Sequence, residues 1–304
     1  MRILPLWFAA LACLAFPLTA RASHTVAIVS GEGAAYDQAA EAVEAHLAEA
    51  MPDVSIELLR LADQPLADVI DRLRFSSPSL IVTLGELATE RIARELPEVP
   101  LVCGMVLGEA AIRSRPNATG VFLEFPVSLQ LEWLRKFFPA ARRVGVLYDP
   151  STNAERVRKA KRVARDLGLE LIAREVDRPE RLPAALRALS NQIDVLWGMA
   201  DRLVLSPASA KSVLTFSFAN RIPFTGLSSS WVKAGAVYAL DRDYEDIGHQ
   251  CGELARRALT GVSVKDIRPQ SPRRVVYTVN LRAIRHMKLE LTTALVGGAL
   301  KTYE

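Results

Sequence analysis

The stretch Arg143-Val144-Gly145-Val146-Leu147-Tyr148-Asp149-Pro150-Ser151-Thr152-Asn153 decides the fold of this 304-residue chain. Its first six residues form a short apolar run typical of a buried strand, and Asp149 with Pro150 suits the turn that ends it. A helical pattern of apolar residues follows from Ala154 to Leu167. This unit begins a second round of strand-helix alternation, so the chain is predicted to be an α/β protein with two similar halves.

The earlier round opens with the strand Thr25 to Ser30, the turn Gly31-Glu32-Gly33 and a helical pattern from Ala34 to Ala50. The remaining predicted strands cover residues 54–58, 80–84, 100–103, 119–123, 169–173, 195–197, 222–225 and 234–240. The remaining predicted helices cover residues 66–75, 87–96, 129–138, 179–189, 208–219 and 247–259. Alternation of this kind predicts parallel sheets.

Each round is predicted to form a Rossmann-like lobe, and several short crossings between the lobes would act as a hinge. Lobe one is assigned residues 23–120 and 241–266, and lobe two residues 121–240 and 267–304. About 280 residues at 50% hydrophobic composition are enough for two domains with a cleft between them.

Residues 1–22 have the pattern of a secretory signal peptide. An apolar stretch over residues 3–18 precedes the small-x-small cleavage sequence Ala20-Arg21-Ala22. Cleavage before Ser23 predicts an exported, periplasmic protein. Attachment of a lipid at Cys13 is disfavoured, because the apolar run continues past that cysteine.

The charge balance does not favour nucleic acid as a partner. Removing Arg2 and Arg21 with the leader leaves 36 basic and 34 acidic side chains, a net charge of +2 instead of +4. Six basic residues do cluster between Arg156 and Arg165, but they interrupt a helical apolar pattern and are interpreted as a solvated helix face.

Cysteines and histidines give no sign of a metal or cofactor site. Only Cys103 and Cys251 remain after cleavage, and both are expected to be buried small hydrophobes. In an oxidising compartment they would be able to form a disulfide if their Cα atoms lie within about 7 Å of each other. The four histidines are scattered, with no spacing typical of metal ligands. No cofactor and no metal are therefore predicted.

The second half of the chain also resembles a known family. Arg143 to Asn153 is similar to the opening strand and polar loop of the second lobe of ABC-transporter substrate-binding proteins, the family that includes receptors for aromatic amino acids. Further segments follow in that family's order, namely Ile222-Pro223-Phe224, Lys233-Ala234-Gly235-Ala236, Asp243-Tyr244, Ile247-Gly248, and Asn280 with Ala283 and Ile284. The order and spacing of these segments are more specific than any one of them.

The resemblance implies a type I periplasmic-binding-protein fold with three crossings between the lobes. It also implies a monomeric exported receptor that holds a small molecule in its cleft and delivers it to an ABC permease of the inner membrane. A sensor that presents the closed receptor to a membrane signalling partner is an alternative, because both roles use the same closure.

Ligands of open parallel sheets bind beyond the carboxyl ends of the strands, so the loops that follow the strands supply the candidate site residues. In lobe one these are Ser30, Glu32, Tyr36, Gly85, Glu86 and Met105, the last with its neighbour Gly104. In lobe two they are Asp149, Asn153, Asp201, Ser228, Ser229 and Trp231.

Two of these positions depart from the family pattern. Many relatives have a small hydroxyl residue where this chain has Glu86, and the Asp-Pro pair common after the fourth strand is missing from Gly104-Met105. An acid at position 86 would repel an anionic group of the ligand. The ligand is therefore expected to be neutral or cationic, or to have its carboxylate held from lobe two.

Each remaining candidate has a structural alternative. Tyr36 and Trp231 could clamp an aromatic or cationic ligand, or could pack in the core. Asp201 resembles the family's acidic position and could accept a ligand amine, or could cap a helix or loop. The hydroxyl groups of Ser228 and Ser229 could donate to a ligand or satisfy backbone groups of their own loop.

The enzyme alternative rests on Gly31-Glu32-Gly33-Ala34-Ala35-Tyr36, which follows a strand and opens a helix as a dinucleotide fingerprint does, with Glu57 at a suitable distance for a ribose. The sixth residue is Tyr instead of Gly or Ala, and Glu32 would lie beside the pyrophosphate. A binding protein without catalytic activity is therefore preferred.

Overall fold

The computed structural model describes residues 24–304. The predicted signal peptide, residues 1–22, lies outside the described residues. Among residues 24–304, no helix combines the length and the apolar composition needed to cross a membrane.

The first lobe is built on a five-stranded parallel sheet of order β2-β1-β3-β4-β5. Its strands are β1 (Thr25–Ser30), β2 (Ser55–Arg60), β3 (Leu80–Leu84), β4 (Leu101–Val106) and β5 (Ala118–Phe122). The helices that precede the second lobe are α1 (Ala34–Ala50), α2 (Leu66–Ser76), α3 (Glu86–Glu95) and α4 (Glu109–Arg113). Side chains of β1 alternate between the cores on the two faces of this sheet, so helices cover both faces.

The second lobe is built on a seven-stranded sheet of order β12-β11-β10-β9-β8-β6-β7. Its strands are β6 (Arg143–Tyr148), β7 (Glu170–Glu175), β8 (Val195–Trp197), β9 (Phe224–Gly226), β10 (Tyr238–Arg242), β11 (Val275–Asn280) and β12 (Lys301–Tyr303). Its helices are α5 (Val127–Phe137), α6 (Pro150–Asp166), α7 (Leu182–Leu189), α8 (Pro207–Asn220), α9 (Ser229–Ala234), α11 (Leu281–Met287) and α12 (Thr293–Gly297). One face carries a core with α5, α6 and α11, and the other a core with α7, α8 and α9.

The chain crosses between the lobes three times, as the resemblance implies. The first crossing joins β5 to α5 through residues 123–126, and the second leads from β10 to α10 (Tyr244–Leu259), which packs in the core of the first lobe. The third leads from residue 267 to β11. Gln270 of this crossing pairs with the end of β5, because its N–H donates to Gly120 O at 2.8 Å and its carbonyl accepts from Phe122 N at 3.0 Å. Two of the three crossings therefore lie side by side.

Several predicted elements differ from the structure. Strand β4 continues to Val106 instead of ending at Cys103, so Gly104 and Met105 are buried strand residues and not loop residues. The strand predicted for residues 234–240 begins only at Tyr238, because residues 229–234 form α9. The second sheet is not wholly parallel, since β11 runs antiparallel to β10. Helix α4 was not predicted; only five residues long, it gives little periodic signal.

The two thiols of the described chain are free and buried, as expected from the sequence. Cys103 belongs to the core on one face of the first sheet and Cys251 to the core on the other face. Burial raises the pKa of the Cys103 thiol to about 11, and burial also raises the pKa of Cys251.

Neither thiol should react with a soluble disulfide reagent at pH 8 while the protein is folded, because both are buried and protonated. For protein that begins at Ser23, a reagent assay should count close to zero thiols in buffer and two in denaturant. Zero thiols in both conditions would mean that Cys103 and Cys251 have formed a disulfide and would contradict this placement.

Candidate functional site

A cavity of about 930 Å³ lies where the carboxyl ends of the strands of the second lobe meet the crossings and one loop of the first lobe. The second lobe contributes residues that follow β6, β8 and β9, together with both ends of β10. The first lobe contributes Leu107 and Gly108 after β4, and the first crossing contributes Leu123, Glu124 and Phe125. The position agrees with the rule for ligands of parallel sheets, and the volume suits a small molecule.

Three aromatic side chains form an apolar wall of the cavity, namely Phe125, Trp197 and Tyr238. Trp197 is the last residue of β8, and its Nε1 donates to Gln130 Oε1 at 3.2 Å. Gln130 Nε2 in turn donates to the carbonyl of Phe125 at 2.8 Å. This chain of bonds fixes the indole and the first crossing relative to each other.

Tyr238, the third member of this wall, packs against the core of the second lobe. It begins β10, and its ring stacks on Phe137 of α5 with centroids 3.8 Å apart and planes inclined by 10°. Burial raises the pKa of the Tyr238 phenol, so the group is neutral at physiological pH. The wall is thus rigid, because its members are held by the core behind them.

Helix α6 forms a polar wall of the cavity. Asp149, Thr152, Asn153 and Arg156 line the cavity, and their spacing places them on one face of the helix. Arg156 forms an ion pair with Glu124 of the first crossing. Arg242, at the end of β10, donates from Nε to Leu123 O at 2.9 Å, and its guanidinium lies 5.1 Å from the centre of the Phe125 ring.

Asp201 lies in this cavity, but its carboxylate is fully engaged by the protein. Oδ2 accepts from Asp149 N at 2.7 Å and from Asn153 Nδ2 at 2.9 Å. Oδ1 accepts from the backbone N–H groups of Leu203 and Val204, each at 2.9 Å. Only 7% of the residue is exposed. This arrangement agrees with the loop-capping alternative, and the ligand-amine role stays a prediction without a free acceptor to support it.

Asp149 and Asn153, the other two candidates from the sequence that line the cavity, belong to the same network. Asp149 is the N-cap of α6, since its Oδ1 accepts from the backbone N–H of Ser151 at 2.9 Å and from its hydroxyl at 2.7 Å. Asn153 is nearly buried and holds Asp201. The structure therefore brings together three of the twelve predicted site residues, which are joined by hydrogen bonds.

The candidates of the first lobe do not line this cavity. Ser30 is buried at the end of β1, and its hydroxyl donates to the carbonyl of Tyr36 at 3.3 Å. The Tyr36 ring covers the two glycines at the ends of β1 and β3: a Cβ atom on Gly31 would lie 3.0 Å from the ring, and one on Gly85 would lie 3.1 Å from it. Ring packing against these glycines agrees with the structural alternative for Tyr36.

The other first-lobe candidates have different surroundings. Glu32 and Glu86 are exposed beyond the carboxyl edge of the sheet, and Glu86 lies 3.8 Å from Arg115. Met105 is 6% exposed and packs in the core, with a positive φ of 59° at a bulge in β4. Its expected place in a loop is wrong, because the strand extends beyond it.

The serine-tryptophan segment of the second lobe packs away from the cavity. Ser228 is the N-cap of α9, and the Ser229 hydroxyl is 2.7 Å from the Tyr303 hydroxyl of β12. The Trp231 ring meets Phe224 edge-on, with centroids 5.6 Å apart, in the core on the far face of the sheet. The contacts of Trp231 agree with its structural alternative. The Ser228 side chain makes no capping hydrogen bond and the Ser229 hydroxyl bonds a side chain of β12, so neither hydroxyl satisfies the backbone of its own loop as the alternative expected.

Sequence reasoning missed most of the cavity-lining residues. Trp197 and Tyr238 were assigned to strands without regard to which end of the strand they occupy. For Trp197 the available signal was a large aromatic residue at the carboxyl end of a strand, whereas Tyr238 begins its strand and had no such signal. Arg156 was included among six solvated basic residues, although its spacing from Asp149 and Asn153 indicated the same helix face. Glu124 and Phe125 lie in the first crossing and Arg242 ends β10, and no local pattern marked them.

Comparisons with known proteins give a consistent result. Residues 58–302 match the family described as ABC transporter substrate binding protein. A tyrosine-binding protein of Clostridioides difficile (strain R20291) is 28% identical over 153 residues, which span 50% of this chain and 44% of that relative. An uncharacterized protein of Rickettsia prowazekii (strain Madrid E) is 21% identical over 240 residues, or 77% of each chain. The matched part of this chain thus spans less than half the length of the tyrosine-binding protein.

Solved structures show the same fold. A ligand-free, open structure of a substrate-binding protein with adhesive properties from Clostridium difficile matches with a TM-score of 0.72 and 20% identity, covering 92% of this chain and 99% of the other. The ABC domain of a Streptococcus pneumoniae protein in complex with L-Trp matches with a TM-score of 0.57 and 16% identity over the same shares. The two lobes therefore have the fold of a type I periplasmic binding protein. The match over residues 58–302 shows that the chain belongs to the family of ABC transporter substrate binding proteins.

Proposed function

We propose that this protein is an exported receptor that closes its two lobes around a small molecule and delivers it to an ABC permease of the inner membrane. The observation that carries the proposal is the position of the 930 Å³ cavity, between the carboxyl ends of the second sheet and a loop of the first lobe, beside the crossings. A ligand held there touches both sides of the hinge. Its differential affinity for the closed form would shift the equilibrium between open and closed receptor.

The lining of the cavity favours a ligand with a flat apolar body. Phe125, Trp197 and Tyr238 border the cavity with the small part of each ring that is not buried, at most 4% of each residue, and leucines and polar groups complete the lining. The partial similarity to a tyrosine-binding protein agrees with such a ligand. Binding and release require no bond to be made or broken, so no catalytic step is proposed.

Export and delivery are supported by the sequence and the family. Residues 1–22 have the pattern of a signal peptide, which predicts a periplasmic location after cleavage. Receptors of this family work with ABC permeases, and the proposed partner of the closed receptor is the permease that transports the same solute. The proposed division of the chain into lobe one and lobe two, at residues 120, 240 and 266, falls close to the crossings. Strand β5 reaches Phe122 and β10 reaches Arg242, each two residues past the proposed boundary.

Thr152→Trp should abolish ligand binding or weaken it at least about tenfold, because the indole would project from the exposed polar face of α6 into the cavity. The matched control is Glu155→Trp, an equally large change at an exposed position of the same helix that does not line the cavity. Both variants should retain the wild-type free energy of unfolding within about 0.5 kcal/mol, since neither position is buried.

The ligand for this test comes from a thermal-shift screen of amino acids, amines, nucleosides, small carboxylates and NAD. A ligand at one hundred times its Kd should add about 2.7 kcal/mol to the stability of the wild-type protein. Equal binding by Thr152→Trp and wild type would place the ligand elsewhere and contradict the proposed site. A shift with NAD alone would favour the dinucleotide-dependent alternative.

A further inference from the structure

We propose that the cavity selects small carboxylic acids with a flat apolar body, that the carboxylate is held from the second lobe by Arg156 and Arg242, and that no amino group on the ligand is required. The inference rests on the proposed receptor function and names the ligand class of the same cavity. It depends on which charged groups in the cavity already have partners and which have unused donors.

Arg156 has an unused donor in a largely buried position. Its side chain is 21% exposed, and Glu124 is the acidic partner of its terminal nitrogen. Its Nε atom is buried and has no hydrogen-bond partner among the described residues. A buried N–H without an acceptor is costly, and a guanidinium presents its donors as a planar fork that fits a carboxylate. Because Nε is itself shielded from the cavity, a carboxylate there would first meet the terminal nitrogens of Arg156 and would reach Nε only as the guanidinium turns away from Glu124.

Arg242, like Arg156, lies against the first crossing. It contacts Leu123 and Phe125, while Arg156 contacts Glu124, so the two guanidinium groups approach three consecutive residues of the first crossing. The acidic group paired with Arg242 is Asp241, at 3.9 Å, which is too long for a hydrogen bond. The stacked guanidinium thus has terminal donors available beside the aromatic wall, where the body of the ligand would lie.

The carboxylates of the cavity, by contrast, each have a partner within the protein. Asp201 accepts four hydrogen bonds, Asp149 caps α6, and Glu124 pairs with Arg156. An ammonium group of a ligand would have to compete with these contacts. Three arginines line the cavity, and Arg202 is the exposed one. An anionic group would meet the other two, of which Arg242 is only loosely paired and Arg156 has an unused donor.

Glu124 is therefore the internal counter-ion that a bound carboxylate replaces. It lies on the first crossing, and a Cβ atom on Gly108 of the first lobe would come within 3.5 Å of its Oε2. A ligand that takes over Arg156 releases Glu124 from the second lobe. Glu124 and Arg156 should then affect acid binding in opposite directions, whereas a purely structural ion pair would weaken binding when either partner is removed.

The test compares two matched series by titration calorimetry: phenylacetate, phenylacetamide and phenethylamine, and indole-3-acetate, indole-3-acetamide and tryptamine. At least one acid should bind about tenfold or more tightly than its amide and amine. Arg156→Gln and Arg242→Gln should each weaken acid binding about 10- to 100-fold, and Glu124→Gln should tighten it about 3- to 10-fold. The control is Arg158→Gln, an exposed position on the same helix, which should bind as wild type.

An amide or amine that binds as tightly as its acid overturns the proposed ligand class, while the receptor function stands. Weaker acid binding by both Arg156→Gln and Glu124→Gln overturns the exchange of Glu124 for a ligand. The wider screen could instead find a solute without an acidic group that binds tightly, while no compound of either series binds. That result also contradicts the proposed ligand class, and the receptor function again stands. Failure of every solute to bind contradicts the receptor function itself.

Discussion

Gly120→Ala is expected to prevent the chain from folding or to lower its free energy of unfolding by more than about 4 kcal/mol. Gly120 lies in β5 directly opposite Cys103 of β4. A Cβ atom at this position would overlap the carbonyl oxygen of Cys103 and would lie 2.6 Å from its carbonyl carbon and 2.7 Å from its nitrogen. All three atoms belong to the backbone of a buried central strand, which cannot move aside as a flexible side chain would.

The position also joins the sheet to a crossing, which adds to the expected loss. The carbonyl of Gly120 accepts from Gln270 N at 2.8 Å, and the neighbouring Thr119 hydroxyl donates to Ile267 O at 2.8 Å. If β5 is displaced, the third crossing loses its attachment to the first lobe. Ligand binding should then fail together with folding, because the cavity depends on how the crossings place the two lobes.

Gly297→Ala is the matched control for this prediction, because a Cβ atom on Gly297 would meet no other heavy atom within 4 Å. Its free energy of unfolding should stay within about 0.5 kcal/mol of wild type in urea denaturation followed by circular dichroism. A wild-type midpoint for Gly120→Ala would contradict the described pairing of β4 with β5.

Local sequence patterns predicted the elements that are short, apolar and bounded by turn residues. Strands Thr25–Ser30, Leu80–Leu84 and Arg143–Tyr148 have the predicted bounds, because each is a buried strand with Gly, Asp or Ser at its end. The end of β4 was wrong because Gly104 directly follows the predicted strand, and a glycine at that point favours a loop. Burial on both sides and the bulge at Met105, which keep these residues in the sheet, depend on tertiary contacts.

The candidate site was less predictable than the fold, and its residues show why. The rule that ligands lie beyond strand ends led to Asp149, Asn153 and Asp201, which line the cavity, but nothing in the sequence shows that their polar groups bind one another. The same rule led to Glu32 and Glu86, which do not line the cavity. Whether the ends of two sheets face a common space depends on the placement of the lobes, which short sequence patterns do not encode.

Asp201→Ala should lower the free energy of unfolding by about 3–5 kcal/mol, the second large effect expected for this protein. The carboxylate accepts from the backbone of Asp149, Leu203 and Val204 and from the side chain of Asn153. Alanine would leave these donors without their acceptor at a site where Asp201 is only 7% exposed. Each buried donor left unsatisfied costs about 1–3 kcal/mol, and entry of water would reduce the total.

Asp166→Ala is the control, since Asp166 is an exposed aspartate at the end of α6. The free energy of unfolding of this variant should differ from wild type by no more than about 0.5 kcal/mol. Urea denaturation of both variants without ligand gives the comparison. A near-wild-type midpoint for Asp201→Ala would contradict the structural role of its hydrogen bonds.

The same variant separates a positioning role from a ligand contact. Asp201 holds the start of α6 to the turn that follows β8, and both segments line the cavity. If it acts only by holding these segments, then Asp201→Ala should weaken the binding of an acid and of its amide by the same factor, because the shape of the cavity changes for both. If it accepts a ligand amine, the variant should keep its stability and lose affinity only for ligands that carry an amino group. The four hydrogen bonds already made to the carboxylate lead us to expect the first result.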